Sequence, residues 1–592
     1  MAEQARSYLI VPAAGAAEGM GHLVRCIGLA KRLGPRVTFL TARMDSAARA
    51  FLSKQLSRFP GRPRPTMLSR LRAGAGWDVI LVDARRTTRV ELEVLMGHGL
   101  VVCLDEGGKA GEYASFLIDA LPGLPGMRGA NVCSPAYLSL PRRIRASLRT
   151  PVKNVLISFG GEDRENLSGA FLDAVLRERL FPPGQMAVVE GPLFENREWP
   201  AGLTVIRGAT NLARILPDYD LLITHFGITA FEALATGIPV ILLNPSRYHA
   251  RLAAAAGLPD IGTRVPHMSA LRGLLADPQR LYVPVDSFNA LIGKDRSQRL
   301  PRLLRGLTAR GSPSCPLCRR SGNRVIARFS DRTYRRCAGC GFISMESFAG
   351  QRKKYGAGYF SSEYKAQYGR TYLEDFDSIK AASRSRVQII SSLLGNARDG
   401  VVVDVGCAYG PFLDALKDAG MPGYGVDVAQ GAVAYVRKKL RIPALKAAFE
   451  SVDRTSLPRR IVAVTLWYVL EHFPDTDVVI RKAAALLPPG GVFAFSTPNG
   501  RGISARRNPS AFLFNSPADH FTILSPQKLR KLLAGYDLEL KRIRVTGHHP
   551  ERFPGIFGRA ASRRQGAYRF LSMASRLFQL GDTFEAYAVK GE

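Results

Sequence analysis

At 592 residues the chain is longer than one hydrophobic core usually serves, so three or four packed units are expected before any motif is read. Its 46% hydrophobic and 22% charged residues are an ordinary globular composition, not that of a disordered or membrane-embedded chain. The formal charge of +34, from 83 Lys and Arg against 49 Asp and Glu, attracts phosphate-bearing partners without choosing among nucleic acid, an anionic membrane surface and nucleotide-sugars.

In chain order, Met1 to Ala14 lacks a basic region followed by a long apolar stretch, and the run Tyr8 to Val11 breaks at Pro12, so no signal peptide is expected. The most apolar window, Leu221 to Leu243, is interrupted by His225, Glu232, Gly237 and Pro239. It suits strand, helix and strand better than a membrane span of roughly 20 uninterrupted residues. Of the eight cysteines, four form two CxxC pairs, while Cys26, Cys103, Cys133 and Cys407 are scattered. That is metal-site arithmetic, suited to a reducing cytoplasm.

Tyr8 to Val11, Val37 to Thr41, Val79 to Asp83 and Leu100 to Asp105 read as strands alternating with helices, which implies a parallel sheet. A Pro- and Arg-containing stretch, Leu140 to Pro151, precedes a second set: Asn154 to Phe159, Met186 to Glu190, Leu203 to Arg207, Leu221 to Thr224 and Val240 to Leu243. Two similar lobes joined by a short linker are expected. In the first, Gly19-Met20-Gly21-His22-Leu23-Val24-Arg25 joins a strand to a helix, where glycines let backbone N–H groups approach an anion. His22 supplies an imidazole with the character of a general base, or else satisfies a loop carbonyl. In the second, Gly227 lets a pyrophosphate approach, Thr229 is placed to cap the helix, and Glu232 is positioned for ribose hydroxyls or as a first-turn acid. Asp83, Asp105 and Glu106 end first-lobe strands, as cleft residues or as turn formers.

The Gly19-x-Gly21-His22-x-x-Arg25 motif and the Gly227 to Pro239 segment resemble the UDP-sugar hydrolases of pseudaminic acid synthesis and the spore-coat polysaccharide glycosyltransferases, over roughly the first 290 residues. The resemblance implies a GT-B fold, His22 as catalytic base and Glu232 on the nucleotide. Phe226-Gly227 stands where the family has Gly-Gly, and Tyr248-His249 where it has Asn-Gln, which leaves hydrolysis and glycosyl transfer both open.

After the basic connector come Cys315-Pro316-Leu317-Cys318 and Cys337-Ala338-Gly339-Cys340, the C-x2-C-x18-C-x2-C arrangement of a structural Zn2+ site. Arg319, Arg320, Arg332, Arg335 and Arg336 give the ribbon a lesser nucleic-acid reading, weakened by scant aromatic interleaving beyond Tyr334, Tyr355, Tyr359 and Phe360.

From Val401 a buried strand carrying Asp404 breaks into Gly406-Cys407-Ala408-Tyr409-Gly410, and about twenty residues on a second strand ends in Asp427. This is a nucleotide-cofactor loop with an acid for ribose hydroxyls. Trp467 to Pro474, then Leu486-Leu487-Pro488-Pro489-Gly490-Gly491, complete an order that resembles class I methyltransferases. With the four cysteines, the stretch Tyr355 to Asp375 and Asp519-His520-Phe521-Thr522, it looks like the zinc-ribbon sugar methyltransferases of surface-polysaccharide and antibiotic-sugar pathways. The resemblance implies that Gly406, Gly410 and Asp427 bind S-adenosyl-L-methionine while Asp404 braces the loop; Val462 stands where an Asp often begins the fourth strand. His472 and His520 are candidate bases, with Glu471 and Asp519 as orienting partners, although the Glu-His pair also serves structurally at such corners. The absence of an Asn/Asp-Pro-Pro-Tyr/Phe turn disfavours nucleobase methylation. In the tail, Phe570, Met573, Leu577 and Leu580 share a helical face beside Arg563, Arg564, Arg569 and Arg576; packing onto the sheet is expected, with a membrane-surface contact the lesser alternative.

The expected architecture is α/β: GT-B lobes over 1–145 and 150–295, a linker over 296–312, a zinc ribbon over 313–345 and a class I doubly wound methyltransferase over 346–592. A cytoplasmic, bifunctional enzyme of surface-polysaccharide synthesis is expected, handling a UDP-linked sugar and methylating a sugar or glycan. The alternative is an RNA-modifying methyltransferase whose first half only binds. Oligomeric state is left open.

Overall fold

The computed structural model describes residues 6–592 except 16–19, 61–62, 122–128, 146–148, 162, 192–193, 195–196, 210–211, 278, 294–297, 349–361, 363, 396–398, 555–556 and 558–564. The chain divides into two compact units, Met1–Thr308 and Ala309–Glu592.

The first unit contains two sheets. One is built from β1 (Tyr8–Pro12), β2 (Val37–Leu40), β3 (Thr66–Leu68), β4 (Trp77–Asp83), β5 (Gly99–Leu104), β6 (Phe116–Asp119) and β7 (Val132–Cys133), in the order β3-β2-β1-β4-β5-β6-β7. The other joins β8 (Val155–Ile157), β9 (Met186–Glu190), β10 (Thr204–Arg207), β11 (Leu221–Thr224), β12 (Val240–Asn244) and β13 (Asp260–Thr263), in the order β10-β9-β8-β11-β12-β13. Every pairing in both sheets is parallel. Runs such as Val79–Val82 and Leu221–Ile223 are buried throughout, the pattern of strands covered on both faces. In each sheet the strand order reverses at a central pair, β1 beside β4 and β8 beside β11, and the crevice beyond the carboxyl ends of such a pair is where open α/β sheets place ligands.

Residues 296–312, expected to be a linker, instead contain the helix Arg299–Gly306. Leu300, Pro301 and Leu304 recur at helical spacing and are buried, so this helix packs into the first unit.

The second unit begins with the antiparallel strands β14 (Arg324–Phe329), β15 (Arg332–Arg336) and β16 (Ile343–Ser347). The main sheet comprises β17 (Val401–Val405), β18 (Gly423–Asp427), β19 (Ala444–Lys446), β20 (Ile461–Trp467), β21 (Val492–Pro498), β23 (Leu538–Thr546) and β24 (Thr583–Lys590). Its order is β19-β18-β17-β20-β21-β24-β23, with β24 antiparallel to both neighbours. One strand of the larger fold, β22 (Thr522–Ile523), pairs with β16 and so extends the small sheet to four strands. Cys315, Leu317, Cys337 and Phe342 lie in the same apolar core as Val403, Leu466 and Leu529. Each knuckle therefore roots one cysteine, Cys315 or Cys337, in the second unit's interior, while Cys318 is exposed.

The tail helix Gln565–Leu577 is turned opposite to expectation. It buries Leu571 and Ser575, with Ser575 Oγ 2.7 Å from His548 Nδ1, while Phe570, Met573 and Leu577 are 64, 64 and 76% exposed. The expected packing of that apolar face on the sheet is thus incorrect, because the side satisfying His548 faces inward. Arg563 and Arg564 lie outside the described residues. Among the described residues, no helix is long and apolar enough to cross a membrane.

Candidate functional site

In the first unit, the first residues of the helix Gly21–Leu33, which follows β1 in the chain, bring His22 and Arg25 to the end of β4. His22 Nδ1 lies 2.7 Å from Asp83 Oδ1, and Arg25 Nε donates to Asp83 Oδ2 at 2.8 Å. Arg25 also reaches Asp105, which sits just beyond β5 with φ 54° and accepts from the backbone N–H groups of Ala120 and Leu121. Asp83 is fully buried, which alone would raise its pKa, but Arg25 and His22 hold its carboxyl far below the usual carboxylate range. An ionised carboxylate behind an imidazole fixes the ring's orientation, the arrangement a general base uses. Gly19 lies outside the described residues. Glu106 accepts from Thr87 and the Gly108 N–H, so its carboxylate is committed to the turn.

The second sheet supplies the helix Ile228–Thr236 directly after β11. Gly227 is its N-cap and no side chain caps it. The expectation that Thr229 caps this helix is therefore incorrect: Thr229 lies inside the first turn, too late for its hydroxyl to reach the leading N–H groups. The uncapped N-terminus leaves backbone donors for an anion. Burial pushes the Glu232 carboxyl up to about 7. His225 contacts the carbonyls of Phe226 and Phe159, and His249 Nδ1 lies 2.8 Å from Ser246 Oγ. Burial, then His225 and Arg85, lowers His249 to about 4. Arg85 follows β4 of the first sheet, so the carboxyl ends of both sheets in this unit border one region.

In the second unit the four thiols converge: Cys315 Sγ is 3.5 Å from Cys340 Sγ, and Cys318 Sγ is 3.4 Å from Cys337 Sγ. Four sulfurs at about 2.3 Å from a tetrahedral zinc stand about 3.8 Å apart, so the donor set fits that metal. The two knuckles have the same backbone plan. Cys315 N bonds Arg320 O and Arg319 N bonds Cys315 O, while Cys337 N bonds Phe342 O and Gly341 N bonds Cys337 O. Arg319 and Gly341 occupy matching left-handed positions, at φ 59° and 76°. Of the arginines around the ribbon, Arg319 pairs with Asp475 and Asp477 and the buried Arg335 pairs with Glu346, which reduces the cationic surface open to nucleic acid.

The loop between β17 and the helix Pro411–Asp418 carries Gly406 and Gly410 at φ 70° and 82°. A Cβ on Gly406 would come within 2.4 Å of Val469, so this close approach requires glycine. Asp427 joins the loop to the next turn: Oδ2 accepts from Ala408 N at 2.9 Å and Oδ1 from Ala429 N at 2.8 Å. Each oxygen retains acceptor capacity for a hydroxyl. Asp404 accepts from Thr465 Oγ1 at 2.7 Å, and burial pushes its carboxyl up to about 7. The loop is covered by aromatic rings that sequence reasoning did not assign to the site. Tyr372 and Tyr409 pack on Ala408, Ala429 and Ala432, their ring centroids 5.9 Å apart. Part of the stretch leading to Tyr372, including Tyr355, Tyr359 and Phe360, lies outside the described residues.

At the adjoining strand end, Glu471 and His472 follow β20, and Asp519 and His520 precede β22. The Phe521 N–H donates to Glu471 O at 2.7 Å, joining the two segments. His472 Nδ1 is 3.3 Å from Asp519 Oδ2, and the His472 and His520 rings meet edge to face at 4.6 Å. Glu471 is buried, which pushes its carboxyl up to about 7 against the opposite pull of His472.

Residues 380–542 match the model of a methyltransferase domain family. The ubiquinone biosynthesis O-methyltransferase of Bordetella avium is 33% identical over 144 residues, 24% of this chain and 57% of that protein. The chain thus spans a little over half the length of this curated relative. An uncharacterized protein of Methanocaldococcus jannaschii is 37% identical over 102 residues, 15% of this chain and 20% of its own. Among solved structures, a SAM-dependent methyltransferase from Archaeoglobus fulgidus aligns with TM-score 0.29 and 14% identity over 38% of this chain and 98% of that one.

Proposed function

We propose that the second unit, which carries the methyltransferase domain, transfers a methyl group from S-adenosylmethionine to a hydroxyl of a sugar or glycan, and that the first unit is a GT-B enzyme acting on a UDP-linked sugar for the same surface polysaccharide, in the cytoplasm. The observation that carries the methyl-transfer half is the Gly406 to Gly410 loop bonded to Asp427 inside a segment matching a methyltransferase family. Gly406, Gly410 and Asp427 hold the cofactor, Asp404 braces the loop, and Cys315, Cys318, Cys337 and Cys340 hold a structural Zn2+. The O-methyltransferase description of the relatives supports a hydroxyl acceptor. Methyl transfer needs the acceptor in line with the sulfonium methyl and its proton removed, and the His472, Asp519 and His520 cluster stands beside the segment that touches Gly406.

For the first unit, the His22–Asp83–Arg25 arrangement supports a base acting on water or an acceptor hydroxyl, with Gly19, Gly21 and the uncapped turn at Gly227 and Thr229 receiving phosphate. Glu232 accepts from the ribose. Titrating the intact protein with UDP at several pH values tests this. Because the Glu232 carboxyl lies near 7, its ionisation adds to that of the UDP terminal phosphate in raising affinity between pH 6 and 8, and Glu232→Gln makes the rise shallower. A wild-type rise no steeper than that of the variant would remove Glu232 from the nucleotide site.

His22→Ala separates chemistry from binding. UDP affinity is retained, while release of UDP from a UDP-sugar pool falls by about 100-fold or more, the usual contribution of a general base. Unchanged turnover in that variant would assign His22 to the loop alone.

A further inference from the structure

Apart from the four-cysteine knuckle, the described residues contain one further group with the ligand atoms of a metal site: Glu471, His472 and His520, whose donor atoms all lie within 4.8 Å of one another. Glu471 is only 2% exposed, and neither carboxylate oxygen has a well-formed hydrogen bond; the Thr497 hydroxyl is the one side-chain donor beside it. A buried carboxylate so placed costs free energy unless a cation or donor meets it. Asp519 Oδ2 stands 3.3 Å from Nδ1 of His472, the carboxylate–imidazole relation found behind metal-ligating histidines. The two histidines reach the cluster from different segments; two bonding relations fix those segments together and a third anchors the His520 segment to the small sheet. They are the Phe521 N–H to Glu471 O, the Thr476 and Thr522 hydroxyls at 2.8 Å, and the β16–β22 pairing.

We infer that Glu471, His472 and His520 form a second, divalent-cation site that binds the acceptor hydroxyl beside the cofactor loop. Two imidazoles and one carboxylate suit a borderline ion such as Mn2+, Fe2+ or Zn2+, and three protein ligands leave coordination positions for water or substrate. This rests on the methyltransferase reading and specifies how the acceptor ionises. The hydroxyl oxygen binds the cation and loses its proton to solvent. An oxygen lone pair then forms the new C–O bond to the methyl carbon as the S–C bond breaks, its electron pair staying on sulfur. The products are a methyl ether, S-adenosylhomocysteine and one proton.

The test uses full-length protein dialysed until only the knuckle zinc remains. Mn2+ is added and the electron paramagnetic resonance signal of the free aqueous ion is followed. Wild type is expected to remove one equivalent, Glu471→Gln and His520→Ala none, and Asp519→Asn to bind about 10- to 100-fold more weakly. S-adenosylmethionine titration of each variant reports folding independently. A free-ion signal undiminished by wild type, or Glu471→Gln binding as wild type does while both bind S-adenosylmethionine, overturns the cation site. Mn2+ uptake without S-adenosylmethionine binding supports the cation site and overturns the cofactor assignment instead.

Discussion

Removing the zinc proposed for the four cysteines is expected to unfold the second unit at temperatures where the first remains intact. The knuckle cysteines Cys315 and Cys337 belong to the same core as the strands around the cofactor loop, and β16 pairs directly with β22. The Met345 N–H donates to Phe521 O at 2.9 Å, one residue from His520, so loss of the knuckles releases the edge that carries that imidazole. Structural zinc contributes on the order of 10–16 kcal/mol of apparent binding free energy at neutral pH, comparable to the whole stability of a domain. Chelation followed by differential scanning calorimetry is the measurement, with residual zinc assayed in the same sample. Amide exchange at Met345 and Phe521 is expected to accelerate before that of β1 or β4. A zinc-free sample whose second unit melts unchanged would show that the cysteines carry no structural metal.

The second large effect is expected for Asp427→Ala. Its two oxygens hold the N–H groups of Ala408 and Ala429, and Ala408 sits at φ 48°, a left-handed conformation that alanine adopts only when held. Hydrogen bonds to a charged acceptor contribute about 1.5–3 kcal/mol each. Losing both bonds, together with the ribose acceptor, is expected to weaken S-adenosylmethionine binding by about 100-fold, or about 2.7 kcal/mol. Asp427→Asn keeps one acceptor oxygen and is expected to lose about tenfold. Calorimetric titration of both variants, with melting temperature as the folding control, reads the effect. Equal affinities for wild type and Asp427→Ala in a folded protein would remove Asp427 from the cofactor site.

The parts of the fold that could be read from sequence are those specified by local pattern. Val401–Val405 is a buried valine strand interrupted only by Asp404 and followed by glycines at two positions of positive φ, and the cysteine spacing encodes both knuckles. Leu221–Leu243 separates into strand, helix and strand because His225, Gly227 and Gly237 interrupt it. What could not be read depends on partners distant in sequence. In sequence Asp83 reads as a strand-end acid, lining a cleft or forming a turn, and its pairing with His22 across 61 positions requires β1 and β4 to be neighbours. The short strands Thr66–Leu68, Val132–Cys133 and Thr522–Ile523 carry little pattern of their own. Thr229 lies two residues past the cap, since Gly227 takes the cap position. The tail helix departs from its apolar periodicity: it turns Leu571 and Ser575 inward, with Ser575 bonded to His548, a partner distant in sequence.

The most direct measurement is calorimetric titration of the intact protein with S-adenosylmethionine, followed by UDP in the same cell. One binding event for each, with neither abolishing the other, is the predicted result for two separate sites in one chain. A protein that takes up no S-adenosylmethionine would contradict the assignment on which the methyl-transfer half rests, and one that takes up no UDP would contradict the nucleotide-sugar assignment of the first unit.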